Sequence, residues 1–401
     1  MLLICKLLQH CDQLTLDVTL TMTQLSLWTT ALLSSVASFS SSAFEVDTRE
    51  SQEPELDDQF RVIAIPFYDP SVDTGISVVP IYNFYADGES KNASTFSATL
   101  TYTQNDSYYI KGNAELLLQG DSIRFSGEMG FSSTNITLVD LVDTNHQEYT
   151  FDGDFYFKVY DSIYLGMGLD YSTARYLADT PRDKLLLKLT GFSEEYQADT
   201  GAKFSFLWDE REHYYYPYHG FLFELTYEDH GESLGNDKDA AYSSLFSDYR
   251  LFYSLTHDDN HIIASRWVTR YLLDAENAPS SAYSTYGRQG RNVQRGFVAG
   301  DHIASHMTNL EMEYRYSISG SSINFLNNVA VVGLTGVGKV FGERLNPTDP
   351  YHSFDDGDLL TMVGLGLRYR LMRQERINVR MDFTYNNENE VLAYFSLGEN
   401  I

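Results

Sequence analysis

Long runs of strict alternation constrain this chain more than any other feature. Ile163, Leu165, Met167, Leu169 and Tyr171 alternate with Tyr164, Gly166, Gly168 and Asp170. Val363, Leu365, Leu367 and Tyr369 alternate with Gly364, Gly366, Arg368 and Arg370, and Ile377, Val379, Met381, Phe383 and Tyr385 with Asn378, Arg380, Asp382 and Thr384. A period of two puts each set on its own face of a strand. The runs extend over roughly 10–14 residues, longer than the five or six usual in a soluble sandwich and matched to the ~9–11 that cross a lipid core. The second face mixes Arg, Lys, Asp and Glu, as a hydrated or self-paired lumen does.

Strands are expected at 74–85, 93–104, 107–118, 121–132, 147–159, 162–173, 183–193, 200–210, 218–230, 242–256, 260–273, 306–319, 324–340, 358–371, 375–386 and 390–400, with 133–143 unassigned. Counted back from the C-terminus, the connections 372–374, 320–323 and 257–259 share one side and are tight. Those at 341–357, 274–305 and 231–241 share the other and are mostly long. Short turns on one side and long loops on the other are the signature of a membrane barrel. The fold class is therefore all-β, a transmembrane antiparallel β-barrel of about 16 strands, whose sixth outer loop can fold back into the lumen.

The net charge of -28 argues against nucleic acid as a partner, since phosphates need Lys and Arg. Thirty tyrosines suit strands and an interfacial belt. The only cysteines are Cys5 and Cys11, so the chain beyond them carries no thiol, which is compatible with an oxidising compartment. No window reaches the ~18 apolar residues that a spanning helix needs. Leu25 to Ala43 has a short apolar part and ends in Ser41-Ser42-Ala43, as a secretory signal does, although Lys6 is the only Lys or Arg before Arg49. The expected division is a signal region at 1–43 (true start at Met1 or Met22), a short periplasmic leader at 44–72 and a barrel at 73–401. Within the leader, 60–73 reads as an extended segment followed by a turn.

Four motifs then occur in order. Trp208-Asp209-Glu210-Arg211-Glu212 runs on to Pro217 and Gly220. Arg295-Gly296-Phe297 is followed by Gly300. Glu313-Tyr314-Arg315 lies on the next strand, and Leu334-Thr335-Gly336-Val337-Gly338 on the one after. In this order and spacing they resemble the motifs of the BamA/TamA (bacterial surface antigen) family, and the likeness covers about residues 62–401. Gly336 stands where that family usually carries an aspartate, and the end of the chain lacks the terminal aromatic common in outer-membrane barrels. The stretch before the first strands is too short for one of the family's client-capturing POTRA repeats, so none is expected in it.

The resemblance implies an integral outer-membrane protein that assists insertion or translocation of polypeptide or lipid, with no enzymatic activity and no cofactor. Its implied partners are outer-membrane lipid and a periplasmic or exported client, and the barrel is expected to act as a monomer. The alternative is a passive channel or structural barrel. The resemblance also implies that Arg295, on the lumen-entering loop with Gly296 and Phe297, meets a strand carboxylate. Glu313 is the preferred partner and Glu311 the second choice, because an unpaired buried charge is costly. On that reading, exchanging the charges of Arg295 and Glu313 should rescue what either single change destroys.

Asp209 and Arg211 are two apart and can pair at the barrel rim, with Pro217 and Gly220 shaping the turn beyond. Gly336 and Gly338 mark the strand after Glu313. Trp208, His213 and Tyr214 to Tyr216 read as an interfacial girdle. The spacings His257/His261 and His302/His306 lie outside any helical pattern, so a shared metal is not expected there. Neither His230 with Ser233 nor His306 with Ser305 has the setting of a catalytic pair.

Overall fold

The computed structural model describes residues 59–86, 93–138, 141–275, 278–289, 292–345, 351–372, 376–399 and 401. These residues form sixteen long strands: β1 (Gln59–Asp69), β2 (Asp73–Phe84), β3 (Ser94–Thr103), β4 (Tyr108–Leu118), β5 (Ile123–Leu138), β6 (Val142–Tyr160), β7 (Ile163–Leu177), β8 (Gln197–Asp209), β9 (Gly220–His230), β10 (Tyr242–Ser254), β11 (His261–Leu272), β12 (His302–Ser317), β13 (Val329–Arg344), β14 (Asp358–Met372), β15 (Ile377–Asn386) and β16 (Val391–Leu397). Each pairs antiparallel with its neighbour in sequence, and β1 meets β16 to close the barrel.

The alternation sorts the two faces. On β7, Leu165, Met167 and Leu169 are each more than half exposed, while Tyr164 between β6 and β8 is 1% exposed. On β14, Leu365 is 67% exposed and Arg368 only 2%. Apolar side chains turned out and charges turned in are what a lipid-facing barrel requires. The lumen itself has two kinds of wall. From β10 to β14 it carries a buried apolar cluster of Val268, Met307, Val332, Leu334, Leu360 and Met362, next to buried charges on the same strands such as Asp248, Arg266, Glu313 and Arg368. Around β4 to β8 it is polar, as in the Lys203 ammonium held by Asp152 at 2.6 Å and Asp154 at 2.7 Å.

The strand count agrees with the sequence reading, but through two compensating differences. Residues 183–193 are not a strand. Pro181–Leu189 is a helix, α1. Thr180 caps it, accepting from the Asp183 N–H at 3.1 Å, and Pro181 opens it. Thr-Pro-x-Asp is a helix-start signature, and the run of leucines at 185–187 breaks alternation. Leu187 is buried against Leu138, Val142, Phe192 and Ile303, so α1 caps the long-loop end of the lumen.

The second difference is at the start. Residues 59–69, expected to belong to the leader, form β1, paired with β2 along eleven positions. Pro66 hides this strand from a propensity reading, since proline is tolerated only at sheet edges and bulges. Residues 133–143 lie in the extensions of β5 and β6 and the loop between them, and 324–328 is a 3-10 turn before β13. The signal region and the leader up to residue 58 lie outside the described residues.

Candidate functional site

The connection 273–301 between β11 and β12 enters the lumen. Tyr286 and residues 294–297 are buried there. Gly296 makes the reversal possible: its φ is +90°, and a Cβ would stand 2.7 Å from Met362 Cβ. Only glycine meets both demands. Phe297 packs edge-on against Tyr286 at 5.4 Å and joins the apolar cluster of β10–β14. The Tyr286 hydroxyl donates to Asn309 Oδ1 at 2.6 Å. It lies over Gly338, where any side chain would collide with it. The loop is also pinned through Gly296, whose N–H donates to the Tyr394 hydroxyl at 2.9 Å and whose carbonyl accepts from Asn386 at 2.8 Å.

At the loop's tip Arg295 is surrounded by carboxylates. Its Nη2 lies 2.8 Å from Glu311, and its Nη1 lies 2.7 Å from Glu313 and 3.0 Å from Asp382. Its backbone N–H also donates to Glu311 Oε1 at 2.7 Å. Arg295 is 1% exposed, Glu311 2%, Glu313 1% and Asp382 0%. The structure thus brings Arg295 to both carboxylates considered from sequence, and to a third that sequence reasoning missed.

The network extends further. Arg315 Nε contacts Glu313 at 2.7 Å. Arg368 reaches Glu313 at 3.3 Å, Asp382 at 2.5 Å and Glu399 at 2.7 Å. Charge-assisted bonds of this kind, shielded from water, are strong individually. The cost of burying the ions offsets most of that gain, so the set contributes geometry more than net stability.

Gly336, in the place of the family's usual aspartate, faces Glu311 across the β12–β13 ladder. A Cβ at 336 would stand 2.9 Å from Met362 Cε and 3.3 Å from Glu311 Cγ. Met362 fills the space, and Asp382 on β15 supplies the negative charge from another direction. Gly336→Asp is therefore expected to destabilise the barrel by about 1–3 kcal/mol through overpacking, with repulsion from Glu311 added. The temperature at which the folded band is lost on a semi-native gel measures this. A variant as heat-resistant as the parent would show that the site has room for a fourth carboxylate.

At the short-turn end, Asp209 and Arg211 pair at 2.8 Å, and Arg124 from β5 joins Asp209 at 3.2 Å. Gly220 (φ +96°) opens β9. The turn 210–219 does not stay at the rim. Glu212 pairs at 2.7 Å with Arg376, which directly precedes β15, and Tyr218 lies under Arg376 at 4.0 Å. Tyr216 is 0% exposed, with Arg315 and Arg370 over its ring at 4.6 and 5.3 Å. Of the aromatics read as a girdle, Tyr214 and Tyr215 are exposed, whereas Tyr216 lies across the mouth of the lumen.

His302 contacts Glu388 at 3.2 Å and His306 packs on Tyr271 and Phe341, so that pair is used separately. Among the described residues no three His, Cys, Asp or Glu side chains are grouped as a metal site.

The sequence missed Asp382, Arg368 and Glu399. The signal was present, since Arg368, Arg380 and Asp382 occupy the inward positions of two clear strands. Alternation gives the face but not which charges meet across the lumen.

Residues 81–400 match the family model described as the Omp85 superfamily domain. No curated protein matches the sequence. Among solved structures, the chain is similar to BamA from Haemophilus ducreyi lacking POTRA domains 1-3 (13% identity, TM-score 0.57, 83% of this chain and 69% of that one). It is also similar to CdiB from Escherichia coli (12%, TM-score 0.58, 87% and 63%) and CdiB from Acinetobacter baumannii (11%, TM-score 0.54, 85% and 59%). The chain spans less than two thirds of both CdiB structures. At these identities the likeness establishes the fold.

Proposed function

The chain belongs to the Omp85 superfamily and is an outer-membrane β-barrel, and from that premise we propose that it moves or inserts polypeptide at the outer membrane through the junction of its first and last strands. The reading is non-enzymatic, with an exported or periplasmic client as partner. One observation carries it: among the described residues β1 and β16 share a single register pair, Tyr68 with Phe395, whereas β1 and β2 share eleven and β15 and β16 seven. Ladder bonds are the main cost of separating two strands, so this junction is the weakest in the wall.

The cause of the short pairing is local. Pro66 removes a donor from β1 two residues before Tyr68. On the other strand, pairing ends at Leu397, Gly398 turns with φ +80°, and Glu399 is drawn inward to Arg368. A free strand edge in the membrane is a template for a client strand. The buried Arg295 cluster supports the same reading, because it fixes the loop that fills the lumen while the wall opens. A passive channel is less favoured, because the loop 273–301 and the turn 210–219 occupy the two ends of the lumen.

Tyr68→Cys with Phe395→Cys places two thiols directly opposite, within the ~4.5–5.5 Å Cα spacing of an antiparallel pair. In proteoliposomes, the parent is expected to accelerate folding of an added unfolded barrel protein. The oxidised double variant should lose that acceleration and regain it on reduction. Full activity in the oxidised form refutes opening at this junction. Steady ion conductance in a planar bilayer with no folding activity would favour the channel instead.

A further inference from the structure

Three donors at the periplasmic mouth of the lumen lack an acceptor among the described residues: the Tyr216 hydroxyl, Arg315 Nη1 and Arg370 Nε. Tyr216 and Arg315 are both 0% exposed. Buried donors are almost always satisfied, and leaving one unmet is costly. Two of them, the Tyr216 hydroxyl and Arg370 Nε, belong to residues that line one cavity and point to an acceptor there, while Arg315 lies outside that lining.

The surroundings define its chemistry. Tyr216, Arg370, Ser317, Asn327, Arg368 and Asn378 line a cavity of about 30 Å³. A single water needs ~10–15 Å³ on this measure, so the cavity has room for about two waters or for one larger guest such as a halide ion. Arg368 is already engaged by three carboxylates. Arg370 has none among the described residues. Its Nη1 donates to the Tyr218 hydroxyl at 2.9 Å, and its guanidinium lies over the Tyr216 and Tyr218 rings. A guanidinium with no carboxylate among the described residues, beside an unmet phenol O–H, favours a negative guest over a neutral one.

We propose that this cavity binds one halide-sized inorganic anion, chloride in its natural setting, held by the Tyr216 hydroxyl and Arg370 Nε. Tyr216 belongs to the turn that crosses the mouth, and Arg370 to the opposite wall. The anion therefore fastens the turn in its closed position. Chloride-free conditions should loosen it, independently of the wall junction.

Crystals of the full chain soaked in sodium bromide test the assignment directly. An anomalous peak within hydrogen-bond distance of Tyr216 Oη and Arg370 Nε is expected, absent in Tyr216→Phe and in Arg370→Gln. In parallel, chloride should raise the unfolding midpoint of the parent relative to gluconate at equal ionic strength, and both variants should lose that increment. Heat-modifiable gel migration verifies that each variant is folded, and Arg370→Gln serves if Tyr216→Phe does not assemble. No bromide peak, or a chloride increment that survives in the folded variants, overturns the proposal and leaves water as the guest.

Discussion

Arg295→Ala is expected to release the segment around residues 286–300 from the lumen and to cost the barrel about 3–5 kcal/mol, the usual consequence of removing one partner from a buried ion cluster. The magnitude follows from what is left behind. Glu311 loses the contacts of Arg295, Glu313 is left with Arg315 and Arg368, and Asp382 is left with Arg368 in contact and Arg380 nearby. Phe297, two residues on, loses the anchor that holds it in the apolar cluster. Arg295→Lys should recover little, because one ammonium cannot reach three carboxylates disposed around a planar fork. Proteolysis of intact cells reads the effect, since the parent loop is shielded and the freed loop is cut. If Arg295→Ala leaves the loop protected and the heat resistance unchanged, the cluster does not hold the loop.

Glu313→Gln is expected to be the more damaging of the two glutamate substitutions on β12. Glu313 touches Arg295, Arg315 and Arg368 together, whereas Glu311 touches the Arg295 side chain and backbone and faces Arg266 on the neighbouring strand. Losing Glu313 leaves three buried guanidiniums short of charge, at a cost of roughly 3–5 kcal/mol. The same geometry reverses an expectation drawn from sequence. Exchanging the charges of Arg295 and Glu313 would place an arginine at 313 beside Arg315 and Arg368, and a glutamate at 295 beside Glu311 and Asp382. The double variant should therefore be no more stable than either single one. Guanidinium-chloride unfolding in detergent, followed by tryptophan fluorescence, ranks all four proteins. A double variant near the parent would mean that the pair is isolated after all.

Residues 160–173 and 358–386 show why so much of the wall was legible. Their outward positions face lipid and their inward positions face water or charge, so each side chain reports its own face. Where one environment meets both faces, the signal fails. Residues 60–69 read as a nearly continuous apolar run with a proline, and only their partner strand gives them a register. Residues 181–189 carry the helix cap in plain sight, yet a strand of similar length fits the same slot in the count. Arg295 and its glutamates were reached through a motif on neighbouring strands. Asp382, from β15 of the closing barrel, could not be reached that way, because loop-to-strand proximity across a lumen depends on how the sheet closes rather than on local pattern. Tyr216 is similar. Its neighbours Tyr214 and Tyr215 are exposed, and nothing in a run of three tyrosines says which one turns inward.

Arg368 holds Asp382 and Glu313 with one end of its guanidinium and Glu399 with the other. Asp382 and Glu313 hold the loop, while Glu399 belongs to the segment that leaves β16. A single side chain therefore reads both the loop and the last strand. Detaching that strand strips a carboxylate from Arg368, which then leans harder on the acids it shares with Arg295. If the wall opens at this junction as proposed, its state and that of the loop are linked, and thermodynamic reciprocity then requires equal influence in both directions. A client that lifts the last strand tightens or loosens the loop by the same free energy with which the loop resists or assists the client. Loading would then be reported on the cell surface, since the loop's outer portion faces that side.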